Sequence, residues 1–228
     1  MEFLTNDHTL DLTGGFPMST DSMVLADFVK LPREARVLDL GSGCATLGLL
    51  LCARSDGCAV TGIELDEAAH AAALGNIQRN GLGSRLFSIC ADLRTMPFGV
   101  GDFHVCVSNP PYYSGGERHS KNPLARQEDT CSPRELFAAA ARALRYGGDF
   151  FLVHKPERLA QLAFEASAAG LEPKRLRLVR HRPGAPVSLI LLACRKGGKP
   201  GLQWEEMTLF TSDGEATEDY KRIYHLIP

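Results

Sequence analysis

The sequence predicts an α/β chain whose core is a doubly wound, mostly parallel sheet of seven strands with helices on both faces, closed by an antiparallel hairpin near the C-terminus. Three observations predict it. Five short apolar runs rich in β-branched residues alternate with segments of helical spacing through residues 36–169. The first run breaks on Gly41-Ser42-Gly43, a glycine turn leading from strand into helix. The fourth stops on Asn109-Pro110-Pro111-Tyr112, where two prolines remove two backbone donors and end strand pairing.

The elements follow in order. Residues 1–35 are a lead-in of short alternating pieces, read as a hairpin, and then a helix over 23–29 capped by Thr20-Asp21, with Val24, Leu25 and Phe28 on one face. Residues 36–195 hold the core sheet. Strand 36–40 is followed by a helix over 47–53, and strand 59–64 by an alanine-rich helix that opens at Asp66 and stops at Asn80-Gly81. Strands 86–90 and 103–108 come next. A polar segment, 114–131, is long enough to be a functional loop, and Ser132-Pro133 then starts a helix that runs to Gly147-Gly148. Strand 150–153, a helix over 156–169 closed by Gly170, and strands 175–179 and 187–194 complete the core. The last two are joined without a helix and so must be antiparallel. Residues 196–228 form an extension that packs on the rest, and all 228 residues are expected to make one domain.

Composition bounds the function. The chain is long enough to bury a full core, and its net charge of −2 gives no global field for a polyanion, so any such site is a local patch. The seven cysteines, at 44, 52, 58, 90, 106, 131 and 194, stand singly with no CxxC pair. They read as small core residues in a reducing compartment, not as a disulfide framework or a metal site. No apolar run approaches the ~18 residues of a membrane span and no leader pattern opens the chain, so a cytoplasmic protein without membrane partner or metal is expected.

The chemistry gathers at the C-terminal ends of the strands. Asp39 precedes the Gly41-Ser42-Gly43 turn, where a ligand can approach the backbone, although any tight strand-to-helix turn reads the same way. Glu64, ending the second strand, discriminates: an acid there accepts from a ribose diol. A dinucleotide site would want a further glycine where Thr46 stands. Asp92, ending the third strand, can accept from an adenine amino group or merely cap a turn. At the fourth strand, the Asn109 side-chain oxygen and the Pro110 carbonyl are two acceptors suited to the two N–H donors of a planar amino group, with an aromatic face beside them. A simple turn and a PPxY peptide ligand are the alternatives for this corner, the second requiring an exposed, disordered segment.

With Phe16, Thr20-Asp21-Ser-Met-Val-Leu-Ala26, Asp39 through Cys44, Glu64, Asn109 through Tyr112, Ala125-Arg126-Gln-Glu128 and the stretch from Asp213-Gly214 to Tyr224, the chain resembles the class I S-adenosylmethionine-dependent methyltransferases of Rossmann-like fold. Within them it is similar to the bacterial tRNA adenine-N6 methyltransferases that modify the adenine just 3′ of the anticodon of a valine tRNA. The resemblance implies S-adenosylmethionine as cofactor, held by Thr20, Asp39, Gly41, Ser42, Gly43, Glu64, Leu65, Asp92, Leu93 and Asn109. It implies catalysis by Asn109, Pro110 and Tyr112, and a tRNA partner met by Pro111, Tyr112, Tyr113, Arg118, Lys121 and Arg126. Two positions depart from the usual pattern: Gln127 stands where the subfamily often has His, and Ser22 where it often has Ala. Relatives with the same core motifs methylate protein glutamine or ribosomal guanine, and a non-catalytic module binding RNA or protein is the reading from another class. Lys174, Arg175, Arg177, Arg180 and Arg182 add a basic run with no acid among them, which fits either RNA contact or a solvated hairpin rim.

Overall fold

The computed structural model describes residues 2–3, 9–10, 19–111 and 131–224. The expected N-terminal hairpin is present, with β1 (Glu2–Phe3) antiparallel to β2 (Thr9–Leu10). Helix α1 (Thr20–Phe28) begins slightly earlier than its pattern suggests because the cap is Ser19, whose hydroxyl accepts from the Ser22 amide. Then follow β3 (Arg36–Leu40), α2 (Thr46–Arg54), β4 (Ala59–Glu64), α3 (Glu67–Arg79), β5 (Leu86–Cys90) and β6 (Phe103–Ser108). The second half holds α4 (Pro133–Ala143), β7 (Leu144–His154), a short 3-10 turn, α5 (Leu159–Ala168), β8 (Leu171–Arg180), β9 (Val187–Lys196), β10 (Gln203–Thr208) and α6 (Glu218–Ile223).

The main sheet runs β10-β8-β9-β7-β6-β3-β4-β5. From β3 the chain steps outward through β4 and β5, then returns to the other side of β3 as β6. The order therefore reverses between β3 and β6, and a crevice opens at the ends of those two strands. Side chains alternate strictly across the sheet: Val37, Val105, Val107, Phe151 and Val153 join the core under α1, α2 and α3, while Leu38, Leu40, Cys106, Phe150 and Leu152 join the core under α4 and α5. Burial on both faces is why these strands read as near-continuous apolar runs.

Two expectations are corrected. The sheet has eight strands, not seven, because β10 pairs in parallel with β8 from Gln203 against Arg175 to Thr208 against Arg180. Its sequence, QWEEMT, is mostly exposed and lacks a buried alternation, as befits a charged edge strand. The helix opened by Ser132-Pro133 stops at Ala143 instead of running to Gly147-Gly148. Leu144 is already extended and pairs with Phe103, whereas the next registered pair is Val105 with Asp149. Gly147, at φ +76°, belongs to the bulge that absorbs this mismatch. The antiparallel β8–β9 pair is as expected.

Candidate functional site

The glycine turn is built by its neighbours. Gly41 and Ser42 both donate their amides to the Ile63 carbonyl, at 2.9 and 3.0 Å, which folds the end of β3 over the end of β4. Gly41 and Gly43 take φ of +74° and +54°, and beside each, where a Cβ would stand, there is open space. Ala45 is left-handed too, at φ 70°, without glycine's freedom. Asn76 of α3, fully buried, steadies that turn by donating to the Cys44 carbonyl at 3.0 Å.

Glu64 is 5% exposed, and each of its oxygens takes a backbone amide: Gly43 at 2.7 Å and Asp66 at 2.8 Å. The acid is thus fixed in direction at the strand end. Asp39 is 2% exposed, and its Oδ2 and the Ser42 hydroxyl are buried without a hydrogen-bond partner. Burial, reinforced by the Glu64 charge, pushes the Asp39 carboxyl up to about 7. Asp92 does not stand free. Arg94 grips both its oxygens through Nε at 2.9 Å and holds its pKa below the usual range, while the Arg94 guanidinium also faces Glu135 at 3.6 Å.

On the other side of the crevice, Ser108 is fully buried and donates to the Leu40 carbonyl at 2.7 Å, locking the end of β6 to the end of β3. Asn109 follows, with its Nδ2 3.0 Å from the Ser22 hydroxyl on α1. A cavity of about 270 Å³ joins the two sides. Its wall includes Gly41, Gly43, Glu64, Leu65, Asp92, Leu93, Asn109, Pro110 and Pro111 from the expected set, with Ile63, Leu136 and Leu162 supplying apolar surface. Thr20, Asp39 and Ser42 are not on that wall. Thr20 accepts a hydrogen bond from the Tyr224 hydroxyl at 3.0 Å. Tyr112, Tyr113, Arg118, Lys121 and Arg126 lie outside the described residues.

His154 ends β7 on the same wall, 2% exposed, and sequence reasoning missed it. Its Nδ1 accepts the Lys155 amide at 2.8 Å and burial lowers its pKa, so it stands neutral with its proton on Nε2. The only signal was a histidine closing an apolar strand, which reads equally as core. Arg94 was missed because its role depends on Asp92 two residues earlier.

The basic run of β8 is committed internally. Arg177 pairs with Asp27 at 2.6 Å and Glu205 at 2.7 Å. Arg175 lies 4.2 Å over the Phe28 ring and reaches Glu205, Arg180 pairs with Glu206, and Lys174 donates to the Lys199 carbonyl. The neutralising acids come from α1 and β10, so Arg175, Arg177 and Arg180 form a structural ion network. Among the described residues no group of three or more His, Cys, Asp or Glu is placed to hold a metal ion, and no helix is long and apolar enough to cross a membrane.

The parts fit a nucleoside cofactor. Open space borders the glycine turn, unpartnered polar atoms sit beside it, an oriented acid ends the next strand, and apolar side chains flank both. A doubly wound sheet with this crevice, bounded opposite by an amide-and-proline corner, defines a nucleoside-binding α/β enzyme. The chain belongs to the methyltransferase small domain family, which matches residues 18–167. It is 31% identical over 180 residues to a protein of Bacteroides fragilis named tRNA1(Val) (adenine(37)-N6)-methyltransferase, covering 77% of this chain and 76% of that relative. A protein of the same name from Shewanella sp. strain MR-4 is 27% identical over 216 residues, 92% of this chain and 91% of that relative. The crystal structure of a predicted O-methyltransferase from Agrobacterium tumefaciens matches with TM-score 0.76 at 20% identity, over 90% of this chain and 96% of that one. That likeness shows the fold alone.

Proposed function

We propose that the chain is an S-adenosylmethionine-dependent N-methyltransferase acting on the exocyclic N6 of adenine 37 in the anticodon loop of a tRNA. One observation carries it: the Asn109-Pro110 corner shares a single cavity with Glu64 and the glycine turn, in a chain whose relatives bear that enzyme's name. The cofactor supplies a methyl group bound to a sulfonium. Glu64 would accept from its ribose hydroxyls and Asp92, steadied by Arg94, from its adenine amino group, with Leu65 and Leu93 on the same wall.

An exocyclic amine is a poor nucleophile because its lone pair is delocalised into the ring. The Asn109 Oδ1 and the Pro110 carbonyl take its two N–H groups, so that the lone pair is turned toward the methyl. Methylation would leave that nitrogen with a surplus proton acidic enough to pass to solvent, so no side chain need act as a strong base. Turning the base out of the loop costs a few kcal/mol, and stacking on Tyr112 returns ~1–3 kcal/mol. Arg118, Lys121 and Arg126, not the internally paired β8 run, meet the phosphates.

The test is methyl transfer from labelled cofactor into purified tRNA, total protein and ribosomal RNA, followed by nucleoside and peptide mass spectrometry. N6-methyladenosine in tRNA is expected. Label in protein glutamine or ribosomal guanine, with tRNA unlabelled, overturns the assignment.

A further inference from the structure

We infer that Ser22 is a positioning residue for Asn109: its hydroxyl accepts the Nδ2–H of the amide and restrains the side chain at the corner where it meets the substrate. This rests on the reading that Asn109 presents its oxygen to the reacting amino group. An asparagine amide rotates between two nearly equivalent orientations, one offering an acceptor and the other a donor. Only the first serves a substrate amine, since the second sets NH₂ against NH₂. The Ser22 hydroxyl, 3.0 Å from Nδ2, restrains the rotation of the amide in the orientation in which Nδ2 is the engaged end. Ser22 is 7% exposed, so water competes poorly for the same bond.

The hydroxyl is itself held on a fixed support. Helix α1 is capped by Ser19, its Thr20 takes the Tyr224 hydroxyl, and its Asp27 is gripped by Arg177 of β8 and Arg222 of α6.

The experiment is a double-mutant cycle on the full chain with tRNA as substrate. Ser22→Ala should lower kcat roughly three- to tenfold, the worth of one net hydrogen bond. Cofactor affinity by calorimetry should stay unchanged, and the melting temperature should fall by no more than about 2–4 °C, the share of one hydrogen bond in a chain of this size. Asn109→Ala should lose about 10²–10³ in kcat, and in that background Ser22→Ala should cost nothing further. Equal losses from Ser22→Ala in both backgrounds, or none in the first, overturn the inference while leaving the reading of Asn109 intact. An Asn109→Ala enzyme with undiminished kcat overturns that reading, and the inference with it.

Discussion

Asp39 makes stability depend on pH in an unusual direction. Its carboxyl, ordinarily near 3.8, is pushed up to about 7 by burial and by the Glu64 charge. Between those two values the folded chain holds a proton that the unfolded chain has released. This contribution to stability is fully present below 3.8 and is lost as pH rises through 7, at about 1.4 kcal/mol per pH unit. From pH 5 to pH 8 the loss amounts to about 3 kcal/mol, most of it below pH 7. Asp39→Asn abolishes the titration while keeping the shape, so its unfolding free energy should gain on the parent by that amount over the same interval. Urea unfolding of both proteins without cofactor, at one-unit pH steps, gives the difference directly, with other titrating groups cancelling. Parallel curves would refute the reasoning.

Three further outcomes are expected. Glu64→Ala should weaken cofactor binding by about 1.5–3 kcal/mol, because a charged acceptor is lost; unchanged affinity in calorimetry would contradict the ribose assignment. Arg177→Ala breaks a pair whose side chains are only 11% and 12% exposed, but Arg222 still serves Asp27, so the low end of the ~3–5 kcal/mol for a broken buried pair applies. A thermal scan showing no fall in melting temperature would mean that the network is ornamental. Replacing Arg118, Lys121 and Arg126 together should raise the tRNA KM and flatten its salt dependence, by about 0.9 log units per lost duplex contact, with cofactor affinity untouched; a parallel loss of cofactor affinity counts against phosphate contact.

Strands 36–40, 59–64, 86–90 and 103–108 were legible to the residue, since segments between two layers of helices carry apolar runs that end where a turn or a charge begins. The part of the cavity wall made of strand ends was legible for the same reason, while Leu136 and Leu162 from helices and His154 were not. What the sequence concealed depends on partners far along the chain. The β8 arginines look solvent-directed until Asp27, 150 residues from Arg177, and Glu205 are placed beside them. The Ser22 contact spans 87 residues. Gly147-Gly148 read as a helix stop because glycine marks bulges and caps alike, and only the pairing of Leu144 with Phe103 tells them apart.

The grip of the last helix on α1 bears on how the enzyme is made. Arg222 lies 195 residues from Asp27, and Tyr224 lies 204 from Thr20. During synthesis α1 therefore emerges 195 to 204 residues ahead of these two anchors. Closing so long a span costs only logarithmically more than a short one, but it comes late on the folding path, as contacts of high sequence separation do. A nascent chain halted near residue 200 would hold the glycine turn and the Asn-Pro corner with α1 still lacking Tyr224 and Arg222. Until they arrive, the helix that carries Ser22 lacks both of these tethers.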